Sequence, residues 1–260
     1  MFFLKMRAAG LHFAISAVIA SLVLTLVYFG WYRSVLSTTE AVGTILLIMV
    51  AMDIVLGPLM TMVVYKPKKK SLKFDLTFIA FIQLGFLAYG VYTVHLARPA
   101  YLVFVKDRFE AVAVADWPET AQQMLENEPN PATERAFFGP VFVGAKSPDD
   151  ANAKQELLFS AVGGGADIGQ MPQYYVPFET QKLTVAAKAR PMAELKDINK
   201  KDAAQVAAID ATVEKLAKQS GVKPENIRYL PLKGKQADGV VLVDKAQTTV
   251  LGMYLFKPWL

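Results

Sequence analysis

The sequence predicts an α+β membrane protein in which three N-terminal transmembrane helices precede a water-soluble domain with an antiparallel sheet and packed helices. Two observations carry this prediction. Hydrophobic residues make up 53% of the chain and charged residues only 20%, which is apolar for a soluble protein. The apolar stretches are concentrated before residue 98, and alternating apolar and polar segments follow. We therefore expect a transmembrane domain at 1–98 and a soluble domain at 99–260.

Three stretches are long enough to cross a bilayer, which takes about 20 predominantly apolar residues. No formally charged residue lies between Arg7 and Arg33, and the run from Glu40 to Lys66 carries only Asp53. The third run precedes Arg98. Helices are expected near 9–29, 41–65 and 74–96.

The lysines and arginines beside the helix ends predict the orientation. Lys5 and Arg7 precede the first helix, whereas the first loop carries only Arg33 beside Glu40. The second loop holds five lysines: Lys66, Lys68, Lys69, Lys70 and Lys73. The N-terminus and this loop should therefore be cytoplasmic, and the C-terminal domain should be periplasmic in a Gram-negative cell. We expect the lysines to lie against anionic headgroups, a specific lipid or protein site being the alternative.

Asp53 lies about midway along the second predicted helix, where a charge costs at least about 2.5 to 3.5 kcal/mol. It must have a partner or be protonated. Counted from the cytoplasmic helix ends, Ser21 and Gln83 lie at a similar depth and are its candidate partners.

Pro58 follows Asp53 by five residues, and a proline removes an intrahelical amide donor. The Ile54 carbonyl should therefore be exposed at a bend, and Gly57 should let another helix approach. Three interpretations of these residues compete: a polar lock within the protein's own bundle, a contact with a second protein's membrane helix, and an ion or proton path. The last needs more ionisable residues than this region has.

The soluble domain begins with a predicted hairpin at 101–105 and 109–115. Helices are expected at 118–128, from Asp149 and Asp150 to about 160, and at 201–219, where Gly221 is the stop signal. Strands are expected at 141–145, 227–232, 240–243 and 249–256.

Residues that carry catalysis are scarce. The chain has no cysteine, and its two histidines, His12 and His95, are expected at opposite membrane faces. The GGGADIG stretch at 163–169 lacks the lysine of a phosphate loop, and the acids Asp149, Asp150 and Glu156 match no calcium loop. We therefore expect no catalytic residues, no cofactor and no metal. The basic residues form no stripe suited to nucleic acid.

Five segments together resemble one family. They are LGPLMTMVVYKP at 56–67 after Asp53, KSLKFDL at 70–76, LARPAYLVFVKDRFE at 96–110, RYLPL at 228–232 and KPW at 257–259. In this combination the chain resembles the type IV pilin accessory protein family, often called TfpX/TfpZ, over nearly its whole length.

The resemblance implies a bacterial inner-membrane protein, not an enzyme, that supports assembly or stability of its cognate type IV pilin. The groove around Gly57 and Pro58 would pack against the pilin helix, with Asp53 bonding its amino group or a protonated acid. Strand edges near 101–115 or 249–256 would meet the pilin head. Two alternatives remain open: a membrane sensor with a ligand-binding outer domain, and a membrane enzyme that modifies pilin or a lipid-linked precursor.

Overall fold

The computed structural model describes residues 2–40 and 42–259, without the side chains of residues 156 and 161. The contacts divide the chain into two units. The membrane unit comprises residues 2–31 and 42–96, and the globular unit comprises residues 32–40 and 97–259.

Three helices of the membrane unit are long and apolar enough to cross a bilayer, as the sequence predicted. They are α1 Phe2–Trp31, α3 Val42–Val64 and α4 Leu72–Ala97, with the short helix α2 Leu36–Thr39 between the first two. Helix α1 begins seven residues before its predicted start at residue 9, because the lysine and arginine near the N-terminus are good helix formers.

Two of these helices contain a π-helical turn. In α1 the turn covers Leu26–Trp31, and in α3 it covers Met52–Leu56, immediately before Gly57 and Pro58. The chain thus passes Pro58 without leaving the helical path, and the local irregularity that the proline predicted takes the form of a wider turn.

Helix α4 is the least enclosed of the three. Of its described residues only Val94 is buried, whereas α1 buries Ser16 and Ala20 on one face. Gly90 brings α4 close to α3, since a Cβ there would lie 2.6 Å from Met49 Sδ. Most of the α4 surface, including Phe81 at 74% exposure, is left for lipid.

The globular unit contains a mixed sheet. Its strands are β1 Pro99–Val105, β2 Arg108–Ala113, β3 Val141–Ala145, β4 Tyr175–Pro177, β5 Arg190–Pro191, β6 Ile227–Lys233, β7 Gly239–Asp244 and β8 Val250–Tyr254. Its longer helices are α5 Glu119–Asn127, α6 Ala151–Val162, α7 Lys182–Lys188, α8 Met192–Ile198 and α9 Ala203–Ser220. The α+β class is confirmed.

The strand order is β4-β3-β1-β2-β6-β7-β8, with β5 also paired to β6. The sheet is not wholly antiparallel as predicted, because β1 pairs with β3, and β2 with β6, in parallel. Each parallel pair is joined by a long connection that contains helices, which such pairing requires. The prediction of a free edge at 101–115 is wrong, since β1 and β2 lie inside the sheet, whereas β8 forms an edge.

Most predicted elements of this unit are found, and their bounds shift by a few residues. The hairpin and β3 are where the sequence placed them, and α9 ends before Gly221, which adopts φ +72°. The predictions missed β4, β5, α7 and α8, all short and all between residues 175 and 198. Segments of two to seven residues offer too few repeats for periodicity to be seen.

Two clusters of buried apolar residues contribute to the core of the described globular unit. One joins Tyr101, Trp117 and Tyr175 across the β1 side of the sheet. The other joins Leu195 and Ile209 of the helices to strands β6 and β7. The two clusters lie toward opposite ends of the strand order.

The loop between α1 and α3 belongs to the globular unit. Leu36 and Thr39 are fully buried, and the Thr39 carbonyl accepts hydrogen bonds from the backbone N–H groups of Gln236 (2.8 Å) and Ala237 (3.4 Å). The Ser34 hydroxyl donates to the Met253 carbonyl at 3.1 Å, on the edge strand β8. Residues 32–40 are therefore a structural part of the globular unit.

Glu40 ends this segment in a partly buried position. Its Oε1 atom accepts a hydrogen bond from the Lys235 backbone N–H at 3.4 Å. Burial raises the pKa of the Glu40 carboxyl to about 7, and the positive charge of Lys235 opposes the shift. Ionisation of Glu40 should therefore weaken the folded state near neutral pH.

Replacement of Gly234 by alanine should loosen residues 32–40. The added Cβ would lie 2.6 Å from Thr39 Cβ and 2.9 Å from the Thr39 carbonyl oxygen, and overpacking of this kind costs about 1 to 3 kcal/mol. We expect a lower unfolding temperature and faster hydrogen exchange at the Gln236 and Ala237 amides. Gly85→Ala is the control, since no atom lies within 4 Å of its Cβ. Equal behaviour of the two variants would contradict the packing of this loop.

Replacement of Glu40 by glutamine should change how stability depends on pH. Because the folded pKa is about 7 and the ordinary value 4.5, the unfolded chain loses this proton first, and stability falls as pH rises through that window. Glu40→Gln removes the loss, so the variant should gain stability over the parent by at most about 3 kcal/mol at pH 8 and little at pH 4.5. Thermal unfolding across this range measures the difference, and a constant offset at all pH values would refute the assignment.

Candidate functional site

Asp53 lies in the π-helical turn of α3 and is 8% exposed. Among the residues that the structure describes, none donates a hydrogen bond to its carboxyl oxygens, and none forms an ion pair with them. A carboxyl group without a hydrogen-bonding partner is costly inside a membrane. The polar site of this helix bundle is therefore incomplete within the described chain.

Pro58 explains the backbone at this point. In a π-helical turn a carbonyl accepts from the amide five residues later, and the residue five after Asp53 is Pro58, which has no N–H. The Gln83 Nε2 atom of α4 instead donates to the Asp53 carbonyl at 3.3 Å. The sequence predicted that the Ile54 carbonyl would lose its intrahelical donor. In the π-helical turn the Asp53 carbonyl loses it instead, because the wider turn shifts the hydrogen-bonding register by one residue.

Gly57 provides the space for this contact. A Cβ at residue 57 would collide with the Gln83 amide, which packs against this part of α3. We expected Gly57 to let another helix approach, and the helix that approaches is α4 of the same chain. The Gln83 Oε1 atom is buried and accepts no hydrogen bond from any described residue, so a second acceptor beside the Asp53 carboxyl also lacks a donor.

Of the two partners predicted for Asp53, only Gln83 reaches it, and it does so through the backbone. Ser21 is exposed, and its hydroxyl donates to the Ala17 carbonyl of its own helix at 2.7 Å. Ser16 and Ala20, one turn apart, face the bundle, whereas residue 21 lies about 100° further round the helix. Depth in the membrane alone therefore did not identify the serine that faces the bundle.

His12 is a member of this site that the sequence reasoning missed. Its Nδ1 atom is hydrogen-bonded to the Thr61 hydroxyl at 2.6 Å, and Thr61 is 2% exposed. Together with Ser16 and Gln83, His12 lines the same cavity as Asp53. A signal was present, because His12 lies five residues after Arg7 and Thr61 five before Lys66, which matches their depths in antiparallel helices.

Three cavities meet at Asp53. One of about 150 Å³ lies on the α1 side, where His12 and Ser16 line it. Two lie between α3 and α4: one of about 190 Å³, lined by Gly57 and Met60, and one of about 340 Å³, lined by Met49 and Met52. We call these last two the α3–α4 groove. Their walls are mostly apolar, and the polar side chains in them include Asp53, Gln83 and Thr93.

The five predicted lysines all lie exposed in or beside the turn between α3 and α4. Lys69 forms an ion pair with Asp75 of the first turn of α4, with Nζ and Oδ2 2.6 Å apart. The negative charge of an acid in the first turn also interacts favourably with the helix dipole. Lys66, Lys68, Lys70 and Lys73 stay predicted determinants of topology and lipid contact.

No group of three or more histidine, aspartate or glutamate side chains suited to a metal ion occurs within residues 2–40 and 42–259. His95 packs edge-on against Trp31, with ring centroids 4.8 Å apart, whereas His12 is bonded to Thr61. The polar groups around Asp53 can accept and donate hydrogen bonds.

Three candidate membrane spans, joined to an α+β unit, define the class as a membrane protein with a folded extramembrane unit. Fimbrial assembly proteins of Dichelobacter nodosus are similar to it. Those of serogroups I and E1 are each 26% identical over 249 residues, which cover 94% of this chain and 92% of the relative. That of serogroups C1 and C2 is 31% identical over 117 residues, which cover 44% of this chain and 89% of the relative.

The chain belongs to the family of fimbrial assembly proteins. No family model matches it. No solved structure matches it either.

Replacement of Thr61 by valine should loosen the contact between α1 and α3. It keeps the side-chain shape but removes the hydroxyl that bonds His12, and interhelical hydrogen bonds in membranes contribute about 0.6 to 1.7 kcal/mol. Denaturation of the purified protein in mixed micelles measures the loss. Thr25→Val is the matched control, since the Thr25 hydroxyl bonds only the Ser21 carbonyl of its own helix. Equal losses in both variants would argue against a special role for the His12 contact.

Proposed function

We propose that this chain is a non-enzymatic accessory protein of the bacterial inner membrane, of the TfpX/TfpZ type, that binds its cognate type IV pilin and supports pilin stability or assembly into pili. The α3–α4 groove holds the membrane helix of the partner. Relatives named fimbrial assembly proteins support the assembly role. We propose the contact with pilin and the absence of catalysis in addition to that role.

The buried Asp53 carboxyl, which has no hydrogen bond from the described chain, is the observation that carries the proposal. A polar lock within the protein's own bundle would pair this carboxyl, and no described residue does so. A second helix that brings a donor to this depth would relieve the cost. An amino group or a protonated acid is the chemistry that fits, because Asp53 and the nearby Gln83 Oε1 are both acceptors.

The shape of the groove also favours a membrane helix as the occupant. Met49, Met52 and Met60 line it, and methionine side chains adapt to irregular apolar surfaces. Gly57 and Gly90 let α3 and α4 approach each other, since the Gln83 amide and Met49 occupy the space where their Cβ atoms would lie. Such a surface accepts an apolar helix and discriminates through one polar contact.

The charge distribution supports the orientation that we propose, with the N-terminus and the lysine loop in the cytoplasm and the globular unit in the periplasm. Among the basic residues after α4, Arg98 has a structural role. Its side chain is buried and donates to the carbonyls of Ala136 (2.9 Å) and Phe137 (3.1 Å). It therefore counts less against this orientation than its position in the sequence suggested.

The globular unit offers the head of the same partner the sheet edge at β8, which is one of the two ends of the strand order. Thr249 is exposed beside that strand, and Ser34 occupies one of its outward carbonyls. Extension of a sheet by a partner strand is a common mode of recognition. We therefore place the second contact along residues 249–254.

A photoreactive residue at Met60 should capture pilin in native membranes, and Asp53→Leu should reduce that capture roughly tenfold, the effect of one lost hydrogen bond of about 1.4 kcal/mol. Asp53→Asn keeps an acceptor and should retain more of it. Met60 is the better position than Thr61, since it is 45% exposed and lines the groove, whereas Thr61 is buried against His12.

The control position is Phe81, which is exposed on α4 but lies outside the groove linings. The stability of Asp53→Leu separates the two main interpretations. If Asp53 serves a partner, leucine stabilises the isolated bundle while capture falls; if it locks the bundle, leucine destabilises it. Unchanged capture of pilin by a folded Asp53→Leu variant, or capture at Phe81 and Met60 alike, would refute the groove as the binding site.

A further inference from the structure

A cavity of about 580 Å³ opens in the globular unit at the carboxyl ends of the parallel strands β1 and β3. Lys106 follows β1 directly, Lys146 follows β3, and both line the cavity. Helices α6 and α7 flank it. In open sheets the crevice beyond the carboxyl ends of parallel strands is a preferred place for ligands, and the volume lies within the range of known sites.

The charge of the lining favours an anion. Three lysines, Lys106, Lys146 and Lys154, face one carboxylate, Asp167. Lys146 pairs with Asp149 at 3.0 Å, both being exposed, whereas Lys106 forms no ion pair within the described residues. Among the described residues Lys154 forms no ion pair either, and its Nζ donates to the Asp149 carbonyl at 3.4 Å, so a carboxylate or phosphate would find two ammonium groups that are not ion-paired.

Helix α6 adds an apolar wall. Leu157 packs toward the core, but Leu158 and Val162 line the cavity while they stay 61% and 86% exposed. A surface helix normally has a polar outer face, and apolar residues on both sides indicate that something covers the outer one. A small inorganic anion would leave Leu158 and Val162 uncovered.

We propose that this cavity binds a single-chain anionic amphiphile. Its carboxylate or phosphate lies between Lys106, Lys146 and Lys154, and its hydrocarbon chain lies along Leu158 and Val162 of α6. The positive charge of the rim calls for the anionic head of the ligand, and the apolar wall calls for its hydrocarbon chain. This site is separate from the α3–α4 groove and does not depend on the pilin contact.

Protection of lysines from reductive methylation tests the proposal, with the full chain in nanodiscs of zwitterionic lipid and dodecyl phosphate as the probe. At ten times the dissociation constant, methylation of Lys106 and Lys154 should slow about tenfold. Lys215 and Lys218 of α9 serve as internal controls and should react at an unchanged rate. Inorganic phosphate and dodecyl maltoside are the comparison probes, and neither should protect.

The double variant Leu158→Gln, Val162→Gln should lose most of the protection by dodecyl phosphate, and because both side chains are exposed its unfolding temperature should match that of the parent. Met124→Gln, an exposed apolar residue of α5, is the matched control and should keep the protection. Equal protection by inorganic phosphate would reduce the site to an anion site and overturn the proposal, as would protection that survives in the double variant or protection that extends to Lys215.

Discussion

The bilayer supplies no water to satisfy a polar group, and this constraint governs the membrane unit around Asp53. Pro58 withholds an amide, the helix widens into a π-helical turn, and the Gln83 amide takes over the freed carbonyl. Gly57 is needed because that amide occupies the space where a Cβ would lie. Pro58, Gln83 and Gly57 look independent in the sequence, but they are linked, because Gln83 and Gly57 together compensate for the amide donor that Pro58 lacks.

Among the residues that the structure describes, none pairs with the Asp53 carboxyl in this arrangement. The Gln83 Nε2 atom donates to the Asp53 backbone carbonyl and the His12 Nδ1 atom is bonded to the Thr61 hydroxyl, and neither residue is hydrogen-bonded to the Asp53 carboxyl. Helix α4 buries so little of itself that the groove beside α3 stays open along Met49, Met52 and Met60. Buried polar groups without partners are rare in folded chains, and the pilin helix that we propose as the occupant of the groove would supply the missing donor.

In the globular unit the decisive feature is how distant segments pair. Residues 32–40 become part of this unit through Thr39, whose carbonyl takes two amides of the loop between β6 and β7. Parallel pairing of β1 with β3 brings Lys106 and Lys146 side by side at one end of the sheet, and α6 closes the space beside them. Both results depend on contacts between residues far apart in the chain.

The sequence by itself determined the three spans, the α+β class and most long elements, because hydrophobic runs and periodicity are local properties. It also identified Asp53, Gly57 and Pro58 as one constellation, since a charge and a helix breaker within an apolar run are visible without coordinates, and it offered Ser21 and Gln83 as candidate partners of Asp53 from their depth. Only the tertiary structure decided that His12 and Ser16 face Asp53 while Ser21 does not, because a rotation of 100° separates adjacent residues of a helix. The parallel pairing, the inclusion of residues 32–40 in the globular unit and the short elements between 175 and 198 likewise followed from long-range contacts, which local patterns do not encode.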